Sequence, residues 1–320
     1  MIAPYPETGP ARDRWILERR PPRNRLEPTR AVAAFVEEEP GESDGPVAVA
    51  TIFLANRECP WRCLMCDLWK NTLARTVPAG AIPAQIRDAL ACLSPARRVK
   101  LYNAGSFFDP RAIPPEDFEP IAKLVRGFER VVVEAHPALV GKPATRFRDL
   151  LTGTLEVAMG LETIHPEVLP RLNKRMTLDR FRRAAEFLTR EEIALRVFVL
   201  AGLPFVSEQE STEWAERSVE KAFEWGAETV AIIPTRPGNG ALDRLRESGE
   251  FTLPSILMLE WALASGLRLS RGRVFADLWD LERFSRCPAC FEPRAARLRA
   301  MNLEQRVLPP IRCARCGGSA

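Results

Sequence analysis

Seven of the eight cysteines in this chain fall into two groups, and each group has a spacing suited to metal. Cys59, Cys63 and Cys66 stand as C-x3-C-x2-C inside Arg57-Glu58-Cys59-Pro60-Trp61-Arg62-Cys63-Leu64-Met65-Cys66-Asp67. Three thiolates on one short loop can each bind one iron of a cubane cluster and leave the fourth iron open to a ligand. A disulfide would leave an odd thiol, and a closed zinc site needs a fourth ligand. The only histidines, His136 and His165, are distant in sequence. The second group is two C-x2-C pairs, Cys287/Cys290 and Cys313/Cys316, separated by 22 residues. That is zinc-ribbon-like spacing for a closed four-thiolate site, with a second iron–sulfur cluster as the alternative. Cys92 stands alone in an apolar helical stretch and is expected to be a buried helix residue.

These groups need a scaffold, and 320 residues at 46% hydrophobic can supply one large domain with appendages. The apolar runs are strand-length, which predicts no transmembrane helix. The N-terminus lacks the charged start and apolar block of a signal peptide. Clustered cysteines in a chain with no export signal imply a cytoplasmic protein and metal ligands rather than disulfides. The net charge of +4 is unevenly placed: residues 1–46 carry −2 and residues 266–320 carry +6, all of the latter's cations being arginines. A basic C-terminal end suits a nucleic-acid partner, or is simply a solvated face.

From Val47 onward, near-continuous apolar runs alternate with helical segments, the pattern of a parallel sheet. Strands are predicted near 47–54, 98–103, 130–135, 154–160, 194–201 and 228–233, with helices near 81–93, 115–127, 143–151, 177–190, 207–225 and 254–265. Six βα units predict a partial (β/α)6 TIM-type barrel, with a doubly wound open sheet as the alternative. In such a barrel the site gathers at the C-terminal ends of the strands. The domains expected are a loosely ordered arm (1–46, with a short helix at 11–20), a core (47–265) and a small, basic, zinc-ribbon-like module with four cysteines (266–320). Small and polar residues follow the strand ends, among them Gly105-Ser106, Glu134-Ala135-His136, Gly160-Leu161-Glu162 and Asn173-Lys174-Arg175. Asp109 and Arg236 are candidate substrate contacts, and His165, before a proline, is expected to be structural.

Over residues 47–240 the chain resembles the radical S-adenosylmethionine (radical SAM) superfamily. The resemblance makes Cys59, Cys63 and Cys66 the ligands of a [4Fe-4S] cluster, with SAM on the open iron. It puts Gly105 and Ser106 in the place of the glycine-rich segment that meets SAM's methionine amino group. Glu134, Glu162 and Lys174 fall where members of the coproporphyrinogen-dehydrogenase type carry polar SAM contacts. Those are Glu, Gln and Arg, so two of the three differ here. The residue before the last cysteine is usually aromatic and is Met65 in this chain.

The chemistry so implied is reductive cleavage of SAM to a 5′-deoxyadenosyl radical that takes a hydrogen atom from the substrate. An external electron donor of flavodoxin or ferredoxin type would drive it. The Cys-Asp-Leu-Trp-Lys-Asn loop ending, Gly-Ser-Phe-Phe-Asp and the Cys-rich tail are similar to the branch of elongator-type tRNA acetyltransferases and the archaeosine synthase radical SAM subunit. That kinship implies tRNA modification, with a tRNA nucleoside or 7-deazaguanine-type base as substrate. One alternative is a radical SAM enzyme for a peptide or small metabolite, with an auxiliary cluster in the tail. The other is a non-catalytic iron–sulfur or zinc protein that binds nucleic acid.

Overall fold

The computed structural model describes residues 4–41 and 45–317. Eight strands form one sheet in chain order: β1 (Ala33–Pro40), β2 (Pro46–Leu54), β3 (Arg98–Asn103), β4 (Arg130–Glu134), β5 (Thr154–Glu162), β6 (Ala194–Ala201), β7 (Thr229–Pro234) and β8 (Arg273–Ala276). β1 is antiparallel to β2, and every later pair is parallel. The sheet curls, because β3 and β6 are not neighbours yet Tyr102 and Phe198 meet edge to face at 6.2 Å. β1 and β8 stay as edges, so the architecture is an open half-barrel. A doubly wound sheet would reverse its strand order at a switch point, and this one does not.

The six expected strands are β2 to β7. The helices between them are α2 (Ala81–Cys92), α3 (Phe118–Val125), α4 (Lys142–Arg148), α5 (Val168–Arg171), α6 (Leu178–Arg190) and α7 (Glu208–Glu224), with α8 (Ala241–Glu247) and α9 (Ile256–Arg268) between β7 and β8. They follow α1 (Gly9–Leu17) and precede α10 (Pro288–Glu304). Thr177, Ser207 and Ser255 start α6, α7 and α9 by accepting from the backbone N–H three residues on. Cys92 departs from expectation: it is exposed at the last turn of α2, whose inward stripe runs through Ile82 and Ile86.

Both ends of the chain enter the sheet. The arm contributes β1, whose three consecutive glutamates disguise a strand. Glu39 is buried, and Arg196 of β6 grips it with two bonds of 2.8 and 2.9 Å. Arg196 Nε also donates to Glu156 at 2.5 Å, and Lys100 joins from β3. Burial works against the charge on Glu39, but Arg196 and Lys100 outweigh it and hold the carboxyl well below its usual range. A charged layer thus plugs the lower lumen, its members drawn from β1, β3, β5 and β6.

At the other end, β8 pairs with β7, and α10 lies against α9 and against both open edges, β1 and β8. Asn302 brackets Ala276 with two 2.8 Å bonds to its N–H and carbonyl, and Gln305 does the same to Val274 at 2.9 and 2.8 Å. Side-chain amides therefore satisfy the free edge of β8 that would otherwise invite another strand. Among the described residues no helix is long and apolar enough to cross a membrane.

Candidate active site and tail metal centre

The cysteine loop leaves the C-terminal end of β2, and loops from four other strand ends hold it. Gly105, after β3, packs against Cys59 so closely that a Cβ there would lie 3.2 Å from the Cys59 Cβ and 3.6 Å from its Sγ. His136, after β4, stacks on Trp61 with ring centroids 3.6 Å apart and planes 11° from parallel. After β5, Leu172 accepts from Leu64 N at 2.9 Å, and Asn173 Nδ2 donates to Arg62 O at 2.8 Å. After β7, buried Asn239 donates to Leu64 O at 2.8 Å and accepts from Leu242 N at the start of α8. Asn239, within the polar stretch 234–240 after a predicted strand, and Trp61 were not singled out by sequence, because an asparagine after a strand and an aromatic in a loop are common.

Burial pushes all three loop thiols up: Cys59 above its usual value, Cys63 well above it with Cys66 repelling it further, and Cys66 to about 12. Three gathered thiols of this kind ionise only when a cation compensates them, which is the environment of a metal cluster. Beside them are buried polar groups without protein partners: both ends of the Asn103 amide and the Ser106 hydroxyl. Buried polar atoms are nearly always bonded, to protein or to a bound molecule, so these are free to meet a ligand or water.

The other expected pocket residues converge on the same mouth. Glu162 sits at a register break in β5 with φ 66°. Lys174 Nζ donates to Glu162 Oε1 and to Gly160 O, both at 2.5 Å, and a methyl at residue 160 would overlap both side chains. Asn173 and Arg175 flank Lys174 in the left-handed region, with φ 56° and 58°. Arg175 itself turns outward to Asp13 at 2.7 Å, so Lys174 is the inward cation. Glu134 Oε2 accepts from Asn103 N at 3.3 Å, and burial raises its pKa to about 8.

His136 belongs to the scaffold. Its Nδ1 accepts from Ala138 N at 3.1 Å, which leaves Nε2–H to donate to Lys174 O at 3.1 Å; burial lowers its pKa to about 3. His165 is structural too, accepting from Glu167 N at Nδ1. Asp109 is paired with Arg111 at 3.1 Å and Arg236 with Asp277 at 2.8 Å, so neither candidate substrate contact presents a bare charge.

In the tail, the four ligand atoms of Cys287, Cys290, Cys313 and Cys316 lie within 4.8 Å of one another. The Sγ separations are 4.0 Å for Cys287/Cys313 and 3.9 Å for Cys290/Cys316. Among the described residues, the three loop thiols do not close to that tightness.

Two of the basic tail's arginines are not at the surface. Arg294 and Arg297 are 1% and 6% exposed and both pair with buried Glu260 of α9, Arg297 at 2.9 Å. Arg294 Nε donates to Cys290 Sγ at 3.3 Å, and both side chains also bond carbonyls of the returning tail. The uneven charge therefore overstates the basic surface of residues 266–320. Arg297→Ala should cost about 1.5–3 kcal/mol, because it removes a charge-assisted bond to a fully buried carboxylate that still keeps Arg294. Chemical denaturation would show that loss.

The half-barrel with a cysteine loop after its first parallel strand is the fold of the radical SAM enzymes. A structural neighbour is Elp3 of the archaeon Methanocaldococcus infernus, with a TM-score of 0.53 at 15% identity, covering 83% of this chain and 65% of that one. By sequence the chain is similar to archaeosine synthase subunit beta of Methanosarcina acetivorans, 26% identical over 69% of this chain and 66% of that protein. It is also similar to the same subunit of Thermococcus kodakarensis, 30% identical over 51% of this chain and 54% of that one. The matches thus span between about half and two thirds of those curated relatives. No family model matches. Sequence and fold agree on a resemblance to the Elp3 and archaeosine synthase branch of the superfamily.

Proposed function

We propose that the chain is a radical SAM enzyme in which Cys59, Cys63 and Cys66 hold a [4Fe-4S] cluster. The observation that carries this is the meeting of three half-buried thiols with Gly105 and the unpartnered Asn103 and Ser106 at one barrel mouth. Bound there, the cluster and SAM would supply one-electron reductive cleavage of SAM and hydrogen abstraction from a substrate. The chain's part is positional and electrostatic. Gly105 lets the backbone come close, Ser106 and Asn103 offer free polar atoms, and the Lys174–Glu162 pair fixes charge in the mouth. Tyr102 and Phe198 floor the pocket and separate it from the charged plug below.

The substrate proposed is a nucleoside in tRNA or a 7-deazaguanine-type base. The likeness to the archaeosine synthase subunits supports it. A structural zinc ion is proposed for the tail. Four thiolates around zinc, with Zn–S of about 2.3 Å, place their sulfurs about 3.8 Å apart, close to the 3.9 and 4.0 Å found. A cubane puts each thiolate on a different iron and needs wider spacing, so the auxiliary-cluster alternative fits this site less well. The direct test is anaerobic reconstitution, with product analysis for 5′-deoxyadenosine using a chemical reductant. A reconstituted protein that makes none would refute the assignment.

Glu134 offers a finer test. With its pKa at about 8 it keeps its proton at pH 7, and a SAM ammonium settling near it would draw the pKa down. SAM binding to the cluster-loaded protein at pH 7 should therefore release up to one proton. Calorimetry in buffers of different ionisation enthalpy should show this, with release vanishing above pH 8 and absent in Glu134→Gln. The raised pKa means the folded chain holds a proton that the unfolded chain loses above about 4.5. Glu134's contribution to stability therefore falls as pH rises from 4.5 through 8, and Glu134→Gln should flatten that slope.

A further inference from the structure

Lys174 reaches Glu162 from the segment 170–175, which leads from the end of α5 toward α6. Asn173 and Arg175, on either side of it, both hold left-handed backbone, which residues other than glycine seldom adopt. Two such residues so close together need support from outside the segment. The inner support comes from the site itself: Leu172 O accepts from Leu64 N, Asn173 Nδ2 donates to Arg62 O, and His136 Nε2–H donates to Lys174 O.

The outer support comes from the N-terminal arm. Arg12 Nη1 donates to Pro170 O and the Tyr5 hydroxyl to Arg171 O, both at 2.7 Å. Asp13 of α1 takes the two flanking residues together. Its Oδ1 accepts from Asn173 Nδ2 and its Oδ2 from Arg175 Nη2, each at 2.7 Å. A Cβ at Gly9 would lie 2.7 Å from the Arg175 guanidinium carbon, so the start of α1 rests directly on that side chain. Trp15 and Ile16 seat the helix by other means, packing with Leu64, Leu242 and Leu245.

We propose that Asp13 is a positioning residue of the candidate active site: by holding Asn173 and Arg175 it keeps Lys174 aimed at Glu162. The proposal rests on the radical SAM reading only for the ligand that Lys174 and Glu162 meet. One carboxylate suffices because its two oxygens go to the two residues that flank the cation. Without it both can leave the left-handed region, and the Lys174 side chain between them turns away from the mouth. Asp13 is half-exposed and its pair with Arg175 lies at the surface, so its contribution to overall stability is small. Its effect is on aim, which ligand binding reads and melting does not.

The test is a double-mutant cycle of Asp13→Ala and Lys174→Met in the full chain. In the cluster-free protein, Asp13→Ala should speed hydrogen exchange at residues 172–175 about tenfold and leave β5 and β6 unchanged. In the cluster-loaded protein it should weaken SAM binding about tenfold, the worth of one charge-assisted bond. In the Lys174→Met background the same change should alter SAM affinity less than about twofold, because its route passes through Lys174. Asp13→Asn, which keeps an acceptor for Asn173, serves if Asp13→Ala does not fold and should show the same non-additivity. Losses that simply multiply, or exchange equal to wild type, would overturn the proposal. So would a fall in cluster iron with Asp13→Ala, which would give Asp13 to the cysteine loop through Asn173 and Arg62. Loaded wild type that binds no SAM would refute the radical SAM reading instead, and exchange at residues 172–175 would still judge Asp13.

Discussion

Cys63→Ala is expected to abolish both the visible iron–sulfur absorption and 5′-deoxyadenosine formation. Cys63 is the middle cysteine of the proposed cluster site, and its thiol is pushed well away from ionisation, by burial and then by Cys66. Such a thiol becomes a thiolate only by binding metal, so little is left to hold a cubane once it is gone. The fold should survive, because the loop is tied by Leu64, Trp61 and Arg62 through bonds and stacking that do not involve the sulfur. Circular dichroism and the melting temperature should therefore stay close to wild type while absorption near 400 nm disappears. A Cys63→Ala protein that retained the cluster and the product would mean that the ligands lie elsewhere.

Replacing Cys287 and Cys290 together by serine should release one zinc and lower the melting temperature of the whole domain, on the order of 10 °C. The sequence alone would confine the damage to residues 266–320. The structure predicts a wider effect. Cys287 and Cys290 open α10, the helix that lies against both edges of the half-barrel. From its next turn Arg294 ties Cys290 to Glu260 on α9, and its far end carries the Asn302 and Gln305 that bracket β8. Loosening the metal therefore loosens the element that spans the open seam. Metal analysis with differential scanning calorimetry would check this. Loss of four irons in place of one zinc would hand the tail to the auxiliary-cluster reading, and an unchanged melting temperature would separate the tail from the barrel.

Local chemistry made much of this protein legible from its sequence. The grouping of Cys59, Cys63 and Cys66 fitted a metal better than a disulfide, which would leave an odd thiol, and runs such as Val47–Leu54 and Ala194–Ala201 are apolar enough to mark buried parallel strands by themselves. Gly105 and Glu134 could be located because the site must follow strand ends in a barrel. What depended on long-range pairing was not legible. Ala33–Pro40 reads as an acidic arm until Arg196, 157 residues away from Glu39, supplies the charge that lets it enter the lumen. Arg294 and Arg297 read as a basic surface until Glu260 on another helix takes both. A charged side chain in sequence carries no mark of whether water or an opposite charge will surround it. Only the tertiary structure brings the partners together, and here they turned an apparent arm and an apparent appendage into the two flanks of one half-barrel.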